Sequence, residues 1–227
     1  MYRNSFYYIT GIFIVALIIS GFSSTNSGKA HSPNPMQDHE SYVSEWKKVD
    51  SLINIRLPKS ALEITESIYQ QARASDNHPQ LIKAVLYKVR LSSEFEEDFF
   101  ENTASDLLAE VDEAKSPAKQ VLHSILAEIY WRYYQSNRGI FYDRTMITGI
   151  EKGDLRTWDL NTLMDEIIRN YFASLEMPDD LKGTPLDAYD VILDTASKSK
   201  LFRPTLYDFL AHRAVDFFMN DESSIVQ

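Results

Sequence analysis

The chain has 227 residues, 44% of them hydrophobic and 12% aromatic, enough to build a sizeable core and too apolar to stay disordered overall. It has no cysteine, which excludes disulfides, a lipidated cysteine anchor, cysteine nucleophiles and cysteine-ligated metals. Past residue 30 it carries 21 basic against 33 acidic residues, a surface that repels nucleic acid and anionic lipid, so neither is expected as a partner.

Residues 1–30 contain no acid and only Arg3 and Lys29 as bases. An apolar run from Phe6 to Phe22, about 17 residues long, is at the lower limit for crossing a bilayer. Small residues at Gly21 and Ser23 permit cleavage, so residues 1–23 read as a secretory signal or a retained membrane anchor. Either outcome exports the remainder to the periplasm or cell envelope, with residues 6–22 as a possible tether. Residues 24–40, rich in Ser, Asn and Pro, read as a flexible linker.

An all-α domain is expected over residues 41–220. Tyr42, Val43, Trp46, Val49, Leu52 and Ile53 recur at helical spacing, and Leu57-Pro58 interrupts them. Pro58 suits the first turn of a second helix whose stripe is Ala61, Leu62, Thr65, Ile68, Tyr69 and Ala72. Asn77-His78-Pro79 restart the chain into a third helix through Leu81, Ile82, Val85, Leu86 and Val89. A fourth is expected over 96–114, with Phe99, Phe100, Leu107, Leu108 and Val111 apolar.

The longest helix is expected at 117–137, with Ser116 as N-cap and Pro117 in the first position. Its apolar residues come in pairs, Val121/Leu122, Ile125/Leu126, Ile129/Tyr130 and Tyr133/Tyr134, a broad stripe suited to a central helix. Asn137 and Gly139 tolerate the left-handed conformation and are expected to end it. Residues 138–158 lose the helical period and read as a long ordered loop or small hairpin. Thr157 or Asp159 then caps a helix through Leu160, Leu163, Met164, Ile167, Ile168, Tyr171 and Leu175. Pro178 and Gly183-Thr184-Pro185 break it, and Leu186, Tyr189, Ile192 and Leu193 make a short helix. A last helix from Pro204 to Met219 turns Leu206, Tyr207, Leu210, Ala211, Ala214, Val215 and Phe218 inward, before a polar tail at 221–227. Helices of this length with small residues at contact spacing fit antiparallel hairpins of the tetratricopeptide type, or an irregular bundle equally well.

Chemistry-bearing groupings are few. Asp208, His212 and Asp216 lie four apart on one helix face, the spacing a divalent metal or acid/base pair would use. A polar flank paired with arginines is the simpler reading, because no second ligand cluster accompanies them. Asp143-Arg144-Thr145 and Asp154-Leu155-Arg156-Thr157-Trp158-Asp159 could form a ligand-binding wall or a Trp plug with ion pairs that pins the loop; the plug is favoured. The aromatic run Tyr130, Trp131, Tyr133, Tyr134, Phe141 and Tyr142 is explained by core packing. His123 lies near Ser124 and Glu128, but neighbours on one helix define no triad. No phosphate loop or zinc-peptidase motif occurs. These residues assign no catalytic group, metal or cofactor, and nothing in them argues for an enzyme; one using the His212 face is the less favoured alternative.

Leu57-Pro58-Lys59-Ser60-Ala61-Leu62, Ile68-Tyr69, Ala72, Asn137-Arg138, Arg144-Thr145 and Thr157-Trp158-Asp159 form a set with the block Arg203-Pro204-Thr205-Leu206-Tyr207-Asp208-Phe209-Leu210-Ala211-His212-Arg213-Ala214. Together they resemble the N-terminal helical region of the large bacterial alpha-2-macroglobulin-like proteins of the Bacteroidota type, over roughly residues 44–220. The resemblance implies an exported helical module that precedes macroglobulin β-sandwiches and, often, a thioester portion that traps proteases. This chain has no β-sandwich series and no cysteine for a thioester, so protease trapping does not carry over to it. Its expected partner is an envelope protein, or the C-terminal remainder of a longer macroglobulin-like chain. A stand-alone adaptor binding a peptide or envelope protein is the alternative.

Overall fold

The computed structural model describes residues 35–143, 154–193 and 199–221, with side chains over 42–141, 154–193 and 200–221. The signal or anchor segment, most of the linker, Arg144 and Thr145 of the long loop, and the end of the tail lie outside these residues. The described part is all-α. Where one domain spanning 41–220 was expected, residue contacts divide the chain into two compact units. The first comprises residues 1–96 and 191–194, and the second residues 97–190 and 195–227.

Three helices build the first unit: α1 (Pro35–Asn54), α2 (Pro58–Ala74) and α3 (His78–Ser92). The first begins inside the segment expected to be linker. Pro58 sits at the start of α2, and Asn77 caps α3 by accepting the Gln80 N–H at 3.3 Å. Both connecting turns close in the same way. Arg56 and Asp76 have φ of 59° and 55°, and Leu57 N–H donates to the Leu52 carbonyl while Asn77 N–H donates to that of Ala72. These are Schellman closures, built on residues with a Cβ where glycine is the usual occupant. Ala61, Thr65, Ile68 and Ala72 of α2 are buried beside Ile82, Ala84 and Val85 of α3, so small side chains let the two helices approach closely. Lys88 and Glu66 close the edge of this pair with an ion pair of 2.7 Å.

The second unit is organised by α5 (Ala118–Asp143), which packs against α4 (Phe99–Glu113) and α6 (Leu160–Ala173). Three shorter helices complete it: α7 (Pro178–Gly183), α8 (Ser199–Phe202) and α9 (Leu206–Phe218). Leu122, Leu126, Ile129 and Tyr130 of α5 are fully buried, as expected of a central helix. Its ends differ from expectation. The helix starts at Ala118, and the Ser116 hydroxyl is buried, with no hydrogen-bond partner among the described residues, instead of capping. At the other end the regular helix is interrupted at Asn137, where its end was expected, but without the left-handed conformation. Its φ/ψ of −121°/20° put a kink there, its side-chain amide donates to the Tyr133 carbonyl at 2.9 Å, and a second helical stretch runs on to Asp143. Residues 138–143, expected in the loop, are therefore helical.

The loop re-enters the described region as a 3₁₀ turn over Leu155–Thr157, and Asp159 caps α6 through the Thr162 N–H at 2.7 Å. Pro178 opens α7 where the sequence suggested only a break, and the helix expected over 186–193 is a 3₁₀ turn over Leu186–Tyr189. Thr205 and Asp208 form a reciprocal capping box at the start of α9. The inward stripe of α9 is Leu206, Leu210, Ala214 and Phe217; Val215 and Phe218, expected inward, are exposed.

Candidate functional site

Within the second unit, α5 directs its polar side chains toward two different helices. His123 turns toward α6, where its Nδ1 lies 2.8 Å from Asn170 Oδ1. The Asn170 amide nitrogen donates to the Glu166 carbonyl, which orients the oxygen toward the ring. His123 Nδ1 therefore carries a hydrogen and Nε2 holds the lone pair of the neutral ring. Burial pushes the imidazole below its usual value; the Asn170 hydrogen bond opposes this in part, and Lys119 and Arg169 add to it.

Ser124 turns toward α9. Its buried hydroxyl accepts the Arg213 Nε–H at 2.8 Å. One turn on, Glu128 gathers two hydrogen-bond donors and a second arginine. Arg132 reaches Oε1 at 2.7 Å, the Tyr171 hydroxyl donates to Oε2 at 3.4 Å, and Arg213 Nη2 stands 3.8 Å from Oε2. Burial, with the Glu128 charge beside it, drives the Tyr171 phenol well above the ordinary tyrosine range, so it stays a donor. His123 and Ser124 thus bond to different helices. The arrangement is a tie between α5, α6 and α9, in which each oxygen already has a donor.

Asp208 receives the Thr205 N–H at 3.0 Å and the Thr205 hydroxyl at 2.6 Å, so its carboxylate belongs to the cap. His212 and Asp216 are exposed, and among the described residues no three His, Asp or Glu side chains gather as a metal site would require. The expected pairing of Asp208 with an arginine gives way to this cap, while Arg213 points at Glu128. The Thr-x-x-Asp spacing at 205–208 signals the capping box directly. The Ser124–Arg213 contact spans 89 residues and has no local sequence signal.

In the loop, Trp158 is buried, with its ring 5.2 Å from that of Tyr130, and Leu155 is buried beside it in the chain. The Asp154–Arg156 pair, 3.0 Å apart, is exposed. Arg156 donates to Asp154 through its side chain and its backbone N–H, which holds that carboxyl below its usual range. Among the described residues the plug is therefore the tryptophan, and the Asp154–Arg156 pair is not part of it. Tyr130, Trp131, Tyr133, Tyr134 and Phe141 of the aromatic run are all core residues; the Tyr142 side chain lies outside those described.

A second cluster lies within the first unit. Trp46 donates its indole N–H to Gln80 at 2.8 Å, Tyr87 donates to Asp50 at 3.1 Å, and the two rings are 4.5 Å apart. The Lys83 ammonium lies 4.4 Å above the Trp46 ring, and burial lowers its pKa despite the nearby Asp50 charge.

One surface feature had no counterpart in the sequence reading. At the ends of α6 and α9, Phe172 (62% exposed), Val215 (48%), Phe218 (42%) and Met219 (77%) reach solvent, with the Phe172 and Phe218 rings 5.6 Å apart. Beneath them Phe217 is buried, stacked on Tyr171 at 4.9 Å and edge-on to Trp131 at 5.2 Å. The strip thus stands on a packed aromatic base.

Among known proteins, no family, characterised protein or solved structure matches the chain.

Proposed function

We propose that this chain is a non-catalytic helical interaction module of the cell envelope, the N-terminal part of an exported alpha-2-macroglobulin-like protein. The observation that carries the interaction reading is the exposed strip of Phe172, Val215, Phe218 and Met219. Contiguous apolar side chains with water around them favour contact with another surface. The polar groups beside the strip support a structural role, because Ser124, Glu128 and Arg213 are spent on each other. The link to the macroglobulin-like family rests on the Arg203–Ala214 block and the shorter strings at 57–62 and 157–159. Export rests on the apolar run at 6–22. No helix among the described residues is long and apolar enough to cross a membrane, and the run itself lies outside them.

An immunoblot of the native product with an antibody to residues 40–220 tests the family link. A band many times larger than 26.2 kDa is expected. A band near that mass would remove the macroglobulin reading and leave the alternative, a stand-alone adaptor for an envelope protein or peptide. That alternative draws support from α1, α2 and α3. Their short turns and small-residue contacts suit hairpins of the tetratricopeptide type. An enzyme using the His212 face is the least supported reading, since His212 is exposed and Asp208 is held in its cap.

A further inference from the structure

The outer side of α9 is apolar and acidic at once. From residue 206 to residue 221 the sole lysine or arginine is Arg213, and it is turned toward Ser124 and Glu128. Asp216 is exposed between Val215 and the Met219 turn, and Asp165 is exposed on α6, two turns before Phe172. Arg169, one turn before Phe172, is paired with Glu166. The charge of the whole chain is divided in the same sense. The second unit holds 23 acidic against 13 basic residues, and the first unit holds 10 of each. The entire net charge of −10 therefore belongs to the unit that bears the strip.

Resting on the interaction-module reading, we propose that the strip formed by Phe172, Val215, Phe218 and Met219 docks a polypeptide segment whose apolar side chains are flanked by lysine or arginine. Apolar contact supplies the attraction, and complementary charge decides which segment is accepted. A second copy of this chain is the poorer occupant. A two-fold contact would bring the same patch against itself, setting Asp216 and the acidic surface around it against their own equivalents. Anionic membranes and nucleic acids meet the same repulsion.

Two labelled peptides of about 18 residues, five helical turns, serve as probes. Both place leucine on one face; one carries lysine and the other glutamate on the opposite face. Fluorescence anisotropy with the full chain at about 0.15 M salt, where only short-range charge contacts survive, reads the binding. The leucine/lysine peptide is expected to bind and the leucine/glutamate peptide to fail. The Phe172→Ser/Met219→Ser double variant and the Asp216→Lys variant should each weaken binding about tenfold. All three positions are exposed, so an unchanged urea midpoint shows that folding is kept.

Equal binding of both peptides, or binding indifferent to these substitutions, would overturn the proposal. So would a concentration-dependent dimer in sedimentation that the double variant abolishes, since that gives the strip to a second copy. Capture of an exported partner by the full chain separates this failure from that of the underlying reading. Capture that the substitutions leave unchanged keeps the interaction module and removes the docking strip, whereas no capture at all removes the interaction module.

Discussion

Replacing Trp158 by alanine tests whether the segment after the loop is pinned by a plug. Trp158 is 2% exposed and its ring meets that of Tyr130. A buried tryptophan removes about 200 Å² from water, of which alanine keeps a minor part. Losing about 150 Å² at ~25 cal/mol per Å² costs about 4 kcal/mol, and losing the aromatic pair costs about 1 kcal/mol more. The denatured chain already buries some of this surface, so a loss of about 3–5 kcal/mol is expected. Urea unfolding followed by tryptophan fluorescence in a Trp46→Phe background isolates the second unit, since Trp46 is the tryptophan of the first. Arg156→Ala is the control; the pair it removes is exposed, and a change within about 0.5 kcal/mol is expected. A loss below about 1 kcal/mol for Trp158→Ala would refute the plug and favour a tryptophan that lines a binding wall.

Other substitutions probe separate parts of the account. The His123 imidazole titrates lower in the folded chain than when unfolded, so its contribution to stability is complete above about pH 6.5 and declines as pH falls below that value. His123→Gln should flatten the stability profile below that pH relative to the parent, and parallel profiles would show that burial does not perturb this ring. Arg56→Gly should raise the unfolding free energy by about 0.5–1 kcal/mol, because glycine adopts the φ of 59° without the Cβ conflict. A loss in urea titration would show that the Arg56 side chain contributes more than its backbone strain costs. Asp208→Ala should cost about 1 kcal/mol through the capping box, while His212→Ala should leave the melting temperature unchanged. The reverse order in thermal scans would give His212 a structural role with buried partners and remove the cap as the function of Asp208.

How much of this was legible in the chain depended on how local the cause is. Helical periodicity placed the core of α2, where Ala61, Thr65, Ile68, Tyr69 and Ala72 are all buried. Local chemistry at helix starts was equally readable at Pro58 and Asp159, and Asn77-His78-Pro79 marked the restart that Asn77 caps. The two Schellman turns were not, because Arg56 and Asp76 occupy positions that composition leads one to expect of glycine. Asn137 breaks the helix where its residue type suggests, but its side chain bonds back to Tyr133 and a further helical stretch follows the kink. On α9 the periodicity alone leaves Phe217 and Phe218 nearly equivalent. The rings of Trp131 and Tyr171 decide for Phe217, and the displaced Phe218 becomes part of the exposed strip. The Arg213–Ser124–Glu128 tie joins residues far apart in sequence, and only the packing of α5 against α9 brings them together.

The central claim, that this chain acts by holding another protein on the α6/α9 surface, is tested most directly by hydrogen–deuterium exchange on the full chain with and without the exported protein it captures. Added protection at residues 168–176 and 211–221, with the rest of the chain unchanged, is the predicted result. Capture accompanied by protection only elsewhere, or no capture of any exported protein, would contradict it.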